Sequence, residues 1–330
     1  MFLYQYISYI FMEQRKLVKS GNTSYILALP ITWIRRNNLA EGKLIQVAET
    51  EQGDLMLSVE KPKVTPKDEI VTIKVDGKEE EIIHLEFLLA YVRDALSIIF
   101  EGKEIIPKSG KIIEDVKSLI GLDVIEQGTR SIVVKNFFSL DRETSPSMLL
   151  RKMDNVNRAS FELLQTFFQR SFVQEDFSEL QKLQEQNARL YLLTRKATLK
   201  LLENPGLMRS IQTDHLQIVK DKTYAHSYID ISSSLLSLGR IFLFLERAHK
   251  EIKILHNYIV QAYQEYQDLL NAAYNQSPEQ IYSFLKNYRK NTGELEKFLK
   301  TVDDPLLIQA LLALLYIYHN LEVISQEALT

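Results

Sequence analysis

Strand signals crowd into the stretch from Arg15 to Leu57, and that crowding constrains the chain more than any other feature. Arg15-Lys16-Leu17-Val18-Lys19-Ser20 reads as a strand, Gly21-Asn22 as a turn, and Thr23 to Leu29 as a returning strand. Pro30 fixes φ where a short helix can start, with Thr32 an N-cap if the helix starts one step later. After Trp33-Ile34-Arg35-Arg36 come a Gly42-Lys43 turn, the apolar run Leu44 to Ala48, a Gly53-Asp54 turn and Leu55-Met56-Leu57. Strands this short bury too little surface to be stable alone, because small domains remove only a modest fraction of their surface from water. A second copy of the chain is the simplest remedy.

The order of these signals resembles the SpoVT/AbrB family of swapped-hairpin DNA-binding domains. The basic-apolar opening Arg15 to Val18, Gly21-Asn22, Leu29-Pro30, the helix and the two later glycine turns carry the resemblance. It covers about forty-five residues. It implies that two N-terminal segments interleave their hairpins into one β-barrel, so that each chain supplies half. It also implies that basic loops and strand ends meet double-stranded DNA. Arg15, Lys19, Arg35 and Arg36 are then the expected phosphate or groove contacts, with Lys16 and Lys43 behind them.

Charge agrees with this without deciding it. Between Met12 and Leu44 those six basic residues face only Glu13 and Glu41, a local excess of four in a chain whose net charge is −3. Such an asymmetry is what a phosphate-binding segment needs. Lysines and arginines that merely solvate the outer faces of short strands would give the same count.

At 330 residues, with 45% hydrophobic and 25% charged side chains, the chain has room for two or three globular domains. It has no cysteine, so disulfides, thiolate metal sites and cysteine nucleophiles are excluded, and a cytoplasmic location fits. Residues 1–11 are apolar and aromatic but too few for a membrane span and without signal-peptide flanks, so no membrane insertion is expected. They read either as an extension upstream of a domain at 12–60 or as a short helix packing on the dimer.

Residues 61–144 read as a small connecting α/β region. Pro62 and Pro66 make Lys61 to Lys67 a linker. A strand from Ile70 to Val75, a hairpin turn at Asp76-Gly77 and a return over Glu81 to His84 are expected, then a helix from Glu86 to Leu96. A strand over Ser97 to Phe100, a helix from Ser109 to Ile120 and a hairpin joining Leu122–Glu126 to Ser131–Lys135 complete it. His84 has no acid and nucleophile near it in sequence. Leu89-Ala90-Tyr91, Leu119 to Glu126 and Ile132 to Lys135 are similar to the segment between the two named domains of archaeal-type AbrB–PhoU fusion proteins.

Residues 145–330 show helical period throughout. Ser145-Pro146, Ser277-Pro278 and Asp304-Pro305 are helix starts, and Asn204-Pro205-Gly206 is a stop. The long periodic stretch His226 to Leu270 reads as two helices meeting near Leu255-His256-Asn257. Six helices in two similar rounds of about ninety residues, with Glu175-Asp176 and Ser277-Pro278-Glu279 in equivalent places, read as an antiparallel bundle. In helix number, length and repetition it resembles PhoU.

That family carries acidic clusters able to hold hard cations. Here Gln184 to Ala188, Ala248-His249-Lys250 and Arg289 to Gly293 stand in those places, with His319-Asn320-Leu321-Glu322 on the last helix, so no metal and no cofactor are expected. Glu246-Arg247 reads as a surface pair. Phosphate-loop, dinucleotide, zinc-protease and serine-hydrolase motifs are absent, so the chain does not read as an enzyme. The expectation is a multidomain α+β homodimer: a DNA-binding transcription regulator of the phosphate-uptake-regulator type. Its helical part would bind a partner such as a phosphate transporter or sensor protein. The alternative is a PhoU-like adaptor that does not bind DNA and docks on such a transporter or sensor kinase.

Overall fold

The computed structural model describes residues 14–21, 24–49, 55–59, 70–245 and 251–329. The chain divides into two compact units, Met1–Pro66 and Lys67–Thr330.

In the first unit β1 (Leu17–Ser20) pairs antiparallel with β2 (Ser24–Leu27), and β3 (Gln46–Glu49) pairs with β4 (Leu55–Ser58). The result is two separate two-stranded sheets. Gly21 supplies the left-handed φ of 73° that the first turn requires. Between the hairpins lies α1 (Ile31–Arg36), whose N-cap is Pro30 rather than Thr32. Asn37 closes it, its side-chain amide donating to the Trp33 carbonyl at 2.8 Å. The extension at 1–11 and the linker prolines Pro62 and Pro66 lie outside the described residues.

The second unit opens with β5 (Ile70–Lys74), α2 (Glu80–Val92), β6 (Ser97–Glu101), α3 (Ile105–Lys117), β7 (Leu122–Gln127) and β8 (Ser131–Asn136). Its sheet runs β5-β6-β8-β7, with β5 and β6 parallel and the other pairs antiparallel. The expected return strand over Glu81 to His84 is instead part of α2. Gly77 does turn the chain, at φ 68°. A parallel β5–β6 pair, however, needs a crossover rather than a hairpin, and α2 is that crossover. Its buried Ile83, Phe87, Ala90 and Tyr91 recur at helical steps, not alternately. α3 starts four residues before the expected Ser109 and takes in Pro107, tolerated in a first turn whose N–H groups have no helical acceptor.

The helices follow: α4 (Pro146–Gln169), α5 (Gln174–Glu203), the short α6 (Pro205–Ser210), α7 (His215–Phe242), α8 (Ile252–Tyr274), α9 (Pro278–Leu299) and α10 (Pro305–Ala328). α4, α5 and α7 pack on one another, as do α8, α9 and α10, and the two groups meet through α7–α10 and α4–α8. Glu175 and Glu279 are each the second residue of their helix. Asp214 and Asp304 cap α7 and α10 in the same way, each accepting a backbone N–H three residues on at 2.8 Å. Ser145 and Ser277 occupy cap positions without lending their hydroxyls to the helix.

The break expected near His256 falls earlier, between Phe242 and Ile252. Leu245 and Ile252 are both buried, so the apolar period continues across the interruption and hides it. Glu246 to Lys250 lie outside the described residues. By length and composition α10 could cross a membrane, yet half of its apolar stretch is buried inside the protein.

The α/β region and the helices are joined by α2 against α5. At that joint Lys196 is wholly buried, its Nζ 4.4 Å from the Tyr91 ring centre and 5.1 Å from that of Phe138. Asp94, held at φ 60°, brings Oδ1 to 3.2 Å from the ammonium, out of line for a hydrogen bond. Asp94 also takes Lys200 at 2.6 Å and the Asn136 amide at 2.9 Å.

Candidate nucleic-acid interface

None of the described side chains in the first unit is buried. On one face of the first hairpin Leu17 lies opposite Leu27 and Lys19 opposite Tyr25; on the other, Val18 lies opposite Ile26 and Ser20 opposite Ser24. Both faces are therefore partly apolar, and both are open: Leu17 is 64%, Tyr25 61% and Ile26 55% exposed. A hairpin buries at most one face on its own helix or loop, and this one buries neither. Leu44 and Val47 are likewise exposed in the second half of the unit.

All six expected DNA contacts are exposed. Lys16 precedes β1, and Lys19 stands on it beside Tyr25. Arg15 takes part in an interaction within the chain. Arg35 and Arg36 occupy the last turn of α1, where cations complement the helix dipole. Lys43 follows the Gly42 turn, in which its N–H donates to the Ala40 carbonyl at 3.2 Å. Within one chain these groups lie on or beside β1, α1 and the Gly42 turn.

The second unit holds a pairing that local sequence conceals. His84 on α2 brings Nδ1 to 3.0 Å from Asp115 Oδ2 on α3, and both border a cleft of about 470 Å³ against α5. Ser118 borders it too, but its hydroxyl donates to the Asp115 carbonyl at 2.6 Å and is not held by the imidazole. Gln184, Glu185, Ala188 and Arg189 form the α5 wall. Among the described residues no three His, Asp or Glu side chains stand close enough together to hold a metal ion.

No family model, no curated protein and no solved structure matches the chain.

Proposed function

We propose that the protein is a dimeric DNA-binding transcription regulator of the phosphate-uptake-regulator type. Two N-terminal units would interleave into an AbrB-like barrel, and the helical region would form a PhoU-like antiparallel six-helix bundle of two three-helix repeats. The observation that carries this reading is the first unit's lack of any buried described side chain. Fully burying an apolar side chain contributes about 1.5–3 kcal/mol. Leu17, Val18, Tyr25, Ile26 and Leu27 stay between 47% and 64% exposed, so about half of that contribution is unused in the single chain. A second copy recovers it and doubles the set of cations. The matched starts of α5 with α9 and of α7 with α10 support the reading of two repeats. In this reading the chain is cytoplasmic, has no enzymatic centre and does not insert into membrane.

A mobility-shift titration on the DNA upstream of the protein's own coding sequence, repeated across salt, tests the proposal. Affinity is expected to fall steeply, the slope of log K against log salt being about −0.9 for each phosphate contact. Changing Arg15, Arg35 and Arg36 to Ala should reduce that slope by roughly 3 or more while the dimer persists. No shift at low salt, or a flat salt response, overturns DNA binding and leaves the adaptor docked on a transporter or sensor kinase; a triple variant that binds DNA as the parent does removes these arginines from the interface.

A further inference from the structure

The seam between α7 and α10 opens into a groove of about 440 Å³, within the size range of small-molecule sites. Two histidines border it, each set against a tyrosine. The Tyr191 hydroxyl lies 2.6 Å from His226 Nδ1, with the two rings stacked at 5.4 Å. Burial, first among the influences on it, raises the Tyr191 pKa, so the phenol keeps its proton. On α10 the His319 ring packs beside Tyr316 at 6.2 Å. Lys222 stands one turn before His226 on the same exposed edge of α7.

Three chemistries therefore converge. Lys222 presents an ammonium, and His226 and His319 present ring nitrogens. Tyr316, 48% exposed, presents an aromatic face. Asp230 presents a carboxylate, which accepts the Tyr316 hydroxyl at 3.3 Å. Among the described residues the two imidazoles and Asp230 do not stand close enough to share a metal ion. Donors for a phosphate, a platform for a base and a carboxylate for sugar hydroxyls together describe a nucleotide.

We propose that this groove binds a nucleoside monophosphate, with its phosphate on Lys222, His226 and His319, its base on Tyr316 and its ribose on Asp230. The proposal is independent of whether the N-terminal unit binds DNA. Calorimetric titration of the full chain with AMP, GMP, CMP and UMP tests it, with adenosine and inorganic phosphate as controls. At least one monophosphate should bind at tens of micromolar or tighter, with both controls tenfold or more weaker. Lys222→Ala, on an exposed residue, should weaken that binding at least tenfold without moving the thermal midpoint of the unliganded protein. His319→Gln should weaken it by a similar factor. Absence of binding by all four at millimolar concentration overturns the proposal. So does adenosine or phosphate alone binding as tightly, or Lys222→Ala binding as the parent does.

Discussion

Replacing Lys196 by Met tests the joint between the α/β region and the helices. The wild-type ammonium is fully buried between Tyr91 and Phe138, and burial, opposed by Asp94, pushes its pKa down from 10.5 to about 8. A factor of ten in an equilibrium constant corresponds to about 1.4 kcal/mol, so holding this charge inside the protein costs on the order of 3 kcal/mol below pH 8. Between pH 8 and 10.5 the unfolded chain still binds the proton while the folded chain has released it. Stability therefore rises with pH across that window. Met matches the stem in volume and removes the charge, and Asp94 keeps Lys200 and Asn136.

At pH 7 Lys196→Met should thus lie within about 1 kcal/mol of the parent or above it, whereas Asp94→Ala strands the ammonium and should cost about 3–5 kcal/mol. Denaturant unfolding from pH 7 to 9.5 reads both effects. The parent should gain roughly 1.5–2 kcal/mol on the Met variant between pH 8 and 9.5. Buried tyrosines such as Tyr228 and Tyr266, raised by burial, lose stability at still higher pH in both proteins and cancel in the difference. Parallel pH curves, or a Met variant less stable than Asp94→Ala at pH 7, would refute the reasoning.

Ile26→Glu places a charge on an apolar hairpin face and should convert the proposed dimer to monomer at micromolar concentration, read by sedimentation velocity. An unchanged dimer would remove the N-terminal unit from the interface. Glu265 has its pKa raised above the ordinary 4.5 by burial and accepts a bond from the Asn291 amide. Its raised value means that stability is fully present below pH 4.5 and is lost as pH rises through the folded value. Glu265→Gln keeps the acceptor and should stabilise the protein at pH 7 by up to about 1 kcal/mol. That gain should vanish below pH 4.5; a gain that persists there would contradict burial as the cause.

Most element types were legible because their causes are local. The strand–turn–strand order around Gly21, the helix after Pro30, the hairpin about Gly128 and the starts at Pro146, Pro278 and Pro305 each follow from a few adjacent residues. α2 was misread at its beginning because Gly77 makes the same turn whether a strand or a helix follows. The choice was made by the parallel pairing of β5 with β6, a partner more than twenty residues away. The α7–α8 break was hidden because burial on both sides kept the apolar phase intact.

The sequence by itself determined the class of the chain: short, basic-flanked hairpins unable to bury themselves, followed by repeated amphipathic helices. It placed the six N-terminal cations on exposed elements, since charge and short apolar runs are read without knowing the neighbours. The tertiary structure alone decided which polar groups meet. His84 finds Asp115, Lys196 finds Asp94 between two aromatic rings, and His226 shares a groove with His319. The physical reason is range. Helical period and capping act over a few residues, whereas these partners lie on different helices and come within reach only when packing fixes their faces.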